Sequence, residues 1–191
     1  MRCFVAVDLD ADWRRAIARL LPSTRGAGGG PKWVAADSLH VTLWFLGEVA
    51  DAAVPALSDA LAHAAQRVEP FELALADAGC FPPRGRARVL WLGIEDPAAG
   101  CGRWIAAAAP LLAPLGFAPE SRPFHAHLTL ARSRSPAGDD ALRQAAEQLR
   151  PPAVSTMHVS EITLFESVLG PHGAEYRPLA RFGLGGAAGG G

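Results

Sequence analysis

The sequence predicts an α+β fold built of two similar lobes, and three observations predict it. Strand and helix patterns follow one another as strand, helix, strand, helix, strand, strand, then helix, strand, helix, strand, strand, so the second half loosely echoes the first rather than continuing a regular βαβ repeat. One four-residue pattern, His-x-Thr-x with apolar x, occurs in each half, at His40–Leu43 and at His127–Leu130. The length of 191 residues, half of them hydrophobic and 19% charged, suits one domain or two intimate lobes sharing a core.

The elements justify themselves in order. Cys3 to Val7 is a short apolar run and reads as a buried strand. Asp10 is placed to cap a helix whose apolar face is Trp13, Ile17, Leu20 and Leu21. Ser23 to Gly30 (STRGAGGG) reads as a flexible loop. From Leu39 to Leu46 the pattern is a strand, with Leu39, Val41, Leu43 and Phe45 on one face and His40, Thr42 and Trp44 on the other. Asp51 opens a helix carrying Val54, Leu57, Leu61 and Val68. Phe71 to Ala76 and Val89 to Ile94 are strands joined by the turn FPPRGRAR. The Ala-rich stretch from about Arg103 to Leu115 reads as a helix that Pro110 and Pro114 kink or stop early. Phe124 to Ala131 is a strand with His127 and Thr129 opposite Leu128 and Leu130, and Asp139 or Asp140 starts a helix with Leu142, Ala145 and Leu149. Val159 to Phe165 and Tyr176 to Phe182 close a single bilobal domain over residues 1–182, and residues 183–191, almost all Gly and Ala, are expected to form a disordered tail.

A formal net charge of -1 argues against coating nucleic acid by charge alone, so nucleic-acid contact is expected at a cleft or an end. Cys3, Cys80 and Cys101 are odd in number and lack metal-type spacing, which suits buried thiols in a reducing compartment. The N-terminal apolar run is too short for a signal peptide, and no stretch approaches a membrane span. The expectation is a soluble, cytoplasmic, monomeric protein with no membrane partner.

The paired motif carries the chemistry. With six His and five Thr in the chain, chance supplies roughly 0.2 His-x-Thr matches, so two with matching apolar positions are not accidental. In a strand, residues i and i+2 share a face, so each motif sets an imidazole beside a hydroxyl while its apolar residues face a core. Two such strands facing each other give two His and two Thr around one cleft, which suits in-line displacement at phosphorus. One imidazole takes a proton from water, the other gives one to the leaving oxygen, and the hydroxyls donate to non-bridging oxygens. Imidazole titrates near neutrality and serves either role, so no metal or other cofactor is required. The pair is chemically symmetric, and the motifs alone do not choose donor from acceptor.

These residues resemble a known family. Trp33 to Glu48 (WVAADSLHVTLWFLGE) is similar to the first signature of the 2H phosphoesterases, and within them is most like the bacterial and archaeal RNA 2′,3′-cyclic phosphodiesterases, first known as 2′–5′ RNA ligases. Arg122 to Arg132 (RPFHAHLTLAR) resembles the second signature; RCFVAVDL at the start and Glu161-Ile-Thr-Leu-Phe-Glu-Ser near the end are also family-like. The likeness runs from about Arg2 to Phe182. It implies antiparallel sheets flanked by helices with the cleft between the lobes. It also implies hydrolysis of an RNA 2′,3′-cyclic phosphate to a 2′-phosphomonoester, on RNA ends or nucleotides that carry it. It assigns His40 as proton donor and His127 as acceptor, and Thr42, Thr129 and Arg132 as phosphate-binding. Alternatives are another reaction of the same superfamily (cleavage of small cyclic nucleotides or 2′–5′ linkages, or reversible 2′–5′ ligation) and a non-catalytic RNA-end-binding module.

Other candidates are weighed by position. His125 shares the face of His127; His-Ala-His lacks an evident third metal ligand, so a cleft-lining role is preferred. Strict alternation sends Arg132 to the face opposite His127, so it reaches the phosphate only if the strand ends or bulges near Ala131. Trp33 and Trp44 are open between base stacking and core packing. Arg84, Arg86 and Arg88 form a basic turn for which a solvated loop is the default. His63, His158 and His172 are expected to be structural or exposed.

Overall fold

The computed structural model describes residues 1–24, 30–170 and 173–185. Among these are nine strands, β1 (Arg2–Asp8), β2 (Lys32–Trp33), β3 (His40–Glu48), β4 (Phe71–Phe81), β5 (Val89–Glu95), β6 (His127–Arg132), β7 (Met157–Val159), β8 (Glu161–Gly170) and β9 (Gly173–Gly183). The four α-helices are α1 (Ala11–Thr24), α2 (Val54–Ala65), α3 (Gly100–Leu112) and α4 (Pro136–Gln148). Every strand pairing is antiparallel. The order across the curled sheet is β7-β4-β5-β6-β3-β1-β8-β9, with β2 also on β6.

The expected two-lobed α+β architecture is present, with the lobes meeting edge to edge. β3, β1, β8 and β9 form one half, backed by α2 and α3, and β6, β5, β4 and β7 form the other, backed by α4. α1 reaches this second half, where the Trp13 indole N–H donates to the Ser155 carbonyl at 2.9 Å. β3 and β6 pair at a single rung, Val41 with Leu128. Alternation sends Val5, Val7, Val41, Leu90, Leu92, Leu128, Ile162 and Leu164 toward the helices, where they join Trp13, Leu57, Leu61, Trp104 and Leu142 in the core. Phe4, Ala6 and Phe165 form a second cluster with Tyr176 on the sheet's other, open face.

Several boundaries differ from the sequence reading. β4 runs on to Phe81 through a register shift between Leu75 and Ala78. α4 starts at Pro136 rather than at Asp139 or Asp140: the Ser135 hydroxyl accepts from the Gly138 N–H at 3.2 Å, and proline at the first position suits a helix start. Asp139 lies inside that helix, buried, with Arg86 donating to its carboxylate at 2.7 Å. The basic turn is therefore fastened to α4 rather than wholly solvated. α3 carries Pro110 in its last turn and ends at Leu112, followed by a 3-10 turn over Ala113–Leu115. Asp10 caps α1 as expected, accepting from the Trp13 N–H at 2.8 Å. α1 takes in Ser23 and Thr24, so the Gly-rich loop is shorter than expected, and its residues 25–29 lie outside the described residues. The start of the expected tail is anchored, with the Gly185 N–H donating to the Ala65 carbonyl at 3.1 Å; residues 186–191 and His172 lie outside the described residues.

Candidate active site

The rung between Val41 and Leu128 brings the two motifs together. Both residues of the rung face the core, so their neighbours face the open side: His40 falls beside Thr129, and Thr42 beside His127. The strands flanking this quartet place Ala6 opposite Thr42 and Gly93 opposite His127, so two of the outer neighbours are small.

The two histidines are held alike. Nδ1 of His40 lies 2.9 Å from the carbonyl oxygen of Ser38, and Nδ1 of His127 lies 2.7 Å from that of His125. A carbonyl only accepts, so each Nδ1 carries a proton and donates it, leaving Nε2 to exchange protons with a ligand. Each ring also rests against aromatic side chains. His40 lies 4.6 Å from Phe4 and edge-on to Tyr176 at 4.9 Å; His127 is edge-on to Phe81 at 5.2 Å. Burial pushes the His40 pKa down to about 4, against the raising effects of the Ser38 carbonyl and the Asp8 carboxylate. Burial also lowers that of His127, against the His125 carbonyl, and the Arg132 guanidinium lowers both.

Arg132 reaches the open face through a bulge. Thr129 faces Trp91 on β5 and Ala131 faces Leu90, leaving Leu130 without a partner residue there. Leu130 and Ala131 are consequently both buried, and Arg132 returns to the side of His127 and Thr129. β3 does the same: Leu43 is passed over in the pairing with β1, so Trp44 turns into the core at 4% exposure and Phe45 turns out at 56%. This corrects the expectation for β3, in which Trp44 shared the face of His40. Trp44 packs in the core and does not line the cleft. For Trp33, which the sequence left open, the partner across β2 and β6 is Ala131, whose side faces the core, and Trp33 packs against the core cluster. His125 has its ring 4.8 Å from Trp91 and 5.9 Å from His127. Among the described residues no group of three or more His, Cys, Asp or Glu is arranged to hold a metal ion. His63 and His158 are exposed, the latter paired with Glu72 at 2.6 Å.

Sequence reasoning missed Phe4, Tyr176, Phe81, Trp91 and Phe45. Only Phe45 left a usable trace, because His-x-Thr-x-x-Phe in the first motif matches His-x-Thr-x-x-Arg in the second.

Residues 9–170 match the model of the 2′-5′ RNA ligase superfamily. The chain belongs to that family. It is 33% identical over 184 residues to the RNA 2′,3′-cyclic phosphodiesterase of Methanothermobacter thermautotrophicus, covering 96% of this chain and 99% of the relative. The Escherichia coli RNA 2′,3′-cyclic phosphodiesterase is 35% identical over 184 residues, 96% of each chain. Among solved structures of similar proteins, E. coli LigT without ligand superposes with a TM-score of 0.77 at 33% identity, covering 97% of this chain and 98% of LigT. LigT has also been solved with 3′-AMP. The fold is that of the LigT-like phosphoesterases.

Proposed function

We propose that this protein hydrolyses RNA 2′,3′-cyclic phosphates to 2′-phosphomonoesters, with His40 and His127 as a metal-independent acid–base pair. The observation that carries the reading is the matched posture of the two histidines. Each is held through Nδ1 to the carbonyl two residues earlier, which leaves both Nε2 atoms available for proton transfer. The relatives named as RNA 2′,3′-cyclic phosphodiesterases support the substrate.

In this reading the cyclic phosphate sits over the single rung. Thr42, Thr129 and Arg132 donate to its non-bridging oxygens, where charge builds as phosphorus becomes five-coordinate. Neutral His127 removes a proton from the attacking water through Nε2. Protonated His40 gives its Nε2 proton to the departing 3′ oxygen. One P–O bond forms, the P–O3′ bond breaks, and the proton lost at one imidazole is matched by the proton given at the other. The exposed ring of Phe45, on the same face, suits stacking by the terminal base.

Phosphorus NMR of the product from an oligoribonucleotide ending in a 2′,3′-cyclic phosphate tests the assignment. A 2′-phosphate alone is expected. A 3′-phosphate or an even mixture would exchange or withdraw the donor and acceptor roles.

A further inference from the structure

Lys32 has no role in the chemistry described above, yet the fold carries it to the edge of the site. β3 and β6 diverge after their one rung, and β2 fills the space beside the far end of β6. Lys32 pairs there directly with Arg132, and directly opposed residues in an antiparallel pair project from the same face. That face is the open one, because the next pair, Trp33 with Ala131, points into the core.

Like charges opposed across a ladder are unfavourable unless something neutralises them. Among the described residues neither Lys32 nor Arg132 has a carboxylate partner. Asp8, on β1, faces His40 and is engaged by Arg14, with Arg181 also within 4.0 Å. The cleft is therefore polarised along its length. Thr42 and His127 lie toward the end with Phe45 and His125, while His40 and Thr129 lie toward the end with Arg132 and Lys32. One anion at the reacting centre occupies Arg132 and leaves Lys32 one strand spacing further out, about 5 Å between backbones plus the reach of its side chain.

We propose that Lys32 binds the phosphate on the 5′ side of the terminal nucleotide, so that the site selects RNA strands over free cyclic nucleotides. This rests on the phosphodiesterase reading above and narrows its substrate class. A strand end brings a second phosphate at a fixed step from the cyclic one, and a free 2′,3′-cyclic mononucleotide brings none. The strand's base and its 5′ phosphate then leave the reacting centre in opposite directions, toward the aromatic end and the basic end.

The test compares kcat/KM on a short oligoribonucleotide ending in a 2′,3′-cyclic phosphate with kcat/KM on a 2′,3′-cyclic mononucleotide lacking a 5′ phosphate, for the wild type, Lys32→Ala and Lys32→Arg. Lys32→Ala is expected to lower the preference for the oligonucleotide about five- to tenfold, through KM, and to reduce the slope of log KM against log salt by about one. Lys32→Arg, which keeps the charge, should retain most of the preference. An unchanged preference in Lys32→Ala, or equal losses on both substrates, would overturn the role of Lys32 while leaving the phosphodiesterase reading intact. A wild-type protein that opened neither substrate would remove both.

Discussion

Desolvation decides the charge on His40. With its ring against Phe4 and Tyr176 and its pKa pushed down to about 4, His40 is neutral at pH 7 in the free cleft. A general acid must hold a proton, and the anionic phosphodiester restores one by placing a negative charge beside the imidazole. In the proposed mechanism the productive form of the free enzyme has one neutral and one protonated ring, and both histidines lie below the ordinary 6.5. The alkaline limb of kcat/KM, which reports the free enzyme, is therefore expected below pH 6.5, with kcat holding to higher pH. A pH–rate series on the cyclic-phosphate oligonucleotide checks this; a kcat/KM limb above pH 7.5 would mean that the free rings are not desolvated. The histidines and threonines were legible in the sequence because their chemistry is local and their spacing of two is a strand's. Their aromatic surroundings come from β1, β4, β5 and β9, contacts between distant positions that no local pattern encodes.

Bulges set which residues of β3 and β6 reach the open face. One extra residue after each threonine breaks the alternation, so the third residue beyond it, Phe45 or Arg132, returns to the catalytic face. Period-two reading placed Trp44 wrongly for this reason, and for Arg132 it could state only the condition, which the bulge at Leu130 meets. Beside β6, Trp91 packs close against Gly79, where an added Cβ would come within 2.4 Å of the indole. Gly79→Ala is expected to cost about 1–3 kcal/mol of stability by overpacking and to displace Trp91 from beside His125. Urea unfolding measures the first effect, and tryptophan fluorescence follows the second. An alanine variant as stable as the wild type would show that the sheet relaxes there without strain.

The described residues form one sheet in two halves that meet at the Val41–Leu128 rung, with His40, Thr42, His127 and Thr129 at the seam. Its bilobal α+β plan was legible because each half carries its own motif and its own strand and helix periodicity. The two-residue β2 was not, since Lys32–Trp33 is too short for any pattern and is defined only by its partner on β6. The half-buried His40 links this architecture to pH. His40 takes up a proton more readily unfolded, near 6.5, than folded, near 4, so its contribution to stability is complete above pH 6.5 and is lost as pH falls toward 4. The loss amounts to about 3 kcal/mol. Urea melts at pH 7 and pH 4.5 should show a smaller drop for His40→Asn than for the wild type; equal drops would place the acid sensitivity elsewhere.

The most direct test of the account is the rate at which a cyclic-phosphate-ended oligoribonucleotide is opened at saturation by the wild type, His40→Ala, His127→Ala and the double variant, each checked for folding. Each single change is expected to lower kcat by about 10²–10⁴-fold, with the double variant well short of the product of the two losses, because both groups act in one transition state. A folded single variant turning over at close to the wild-type rate would contradict the two-histidine mechanism.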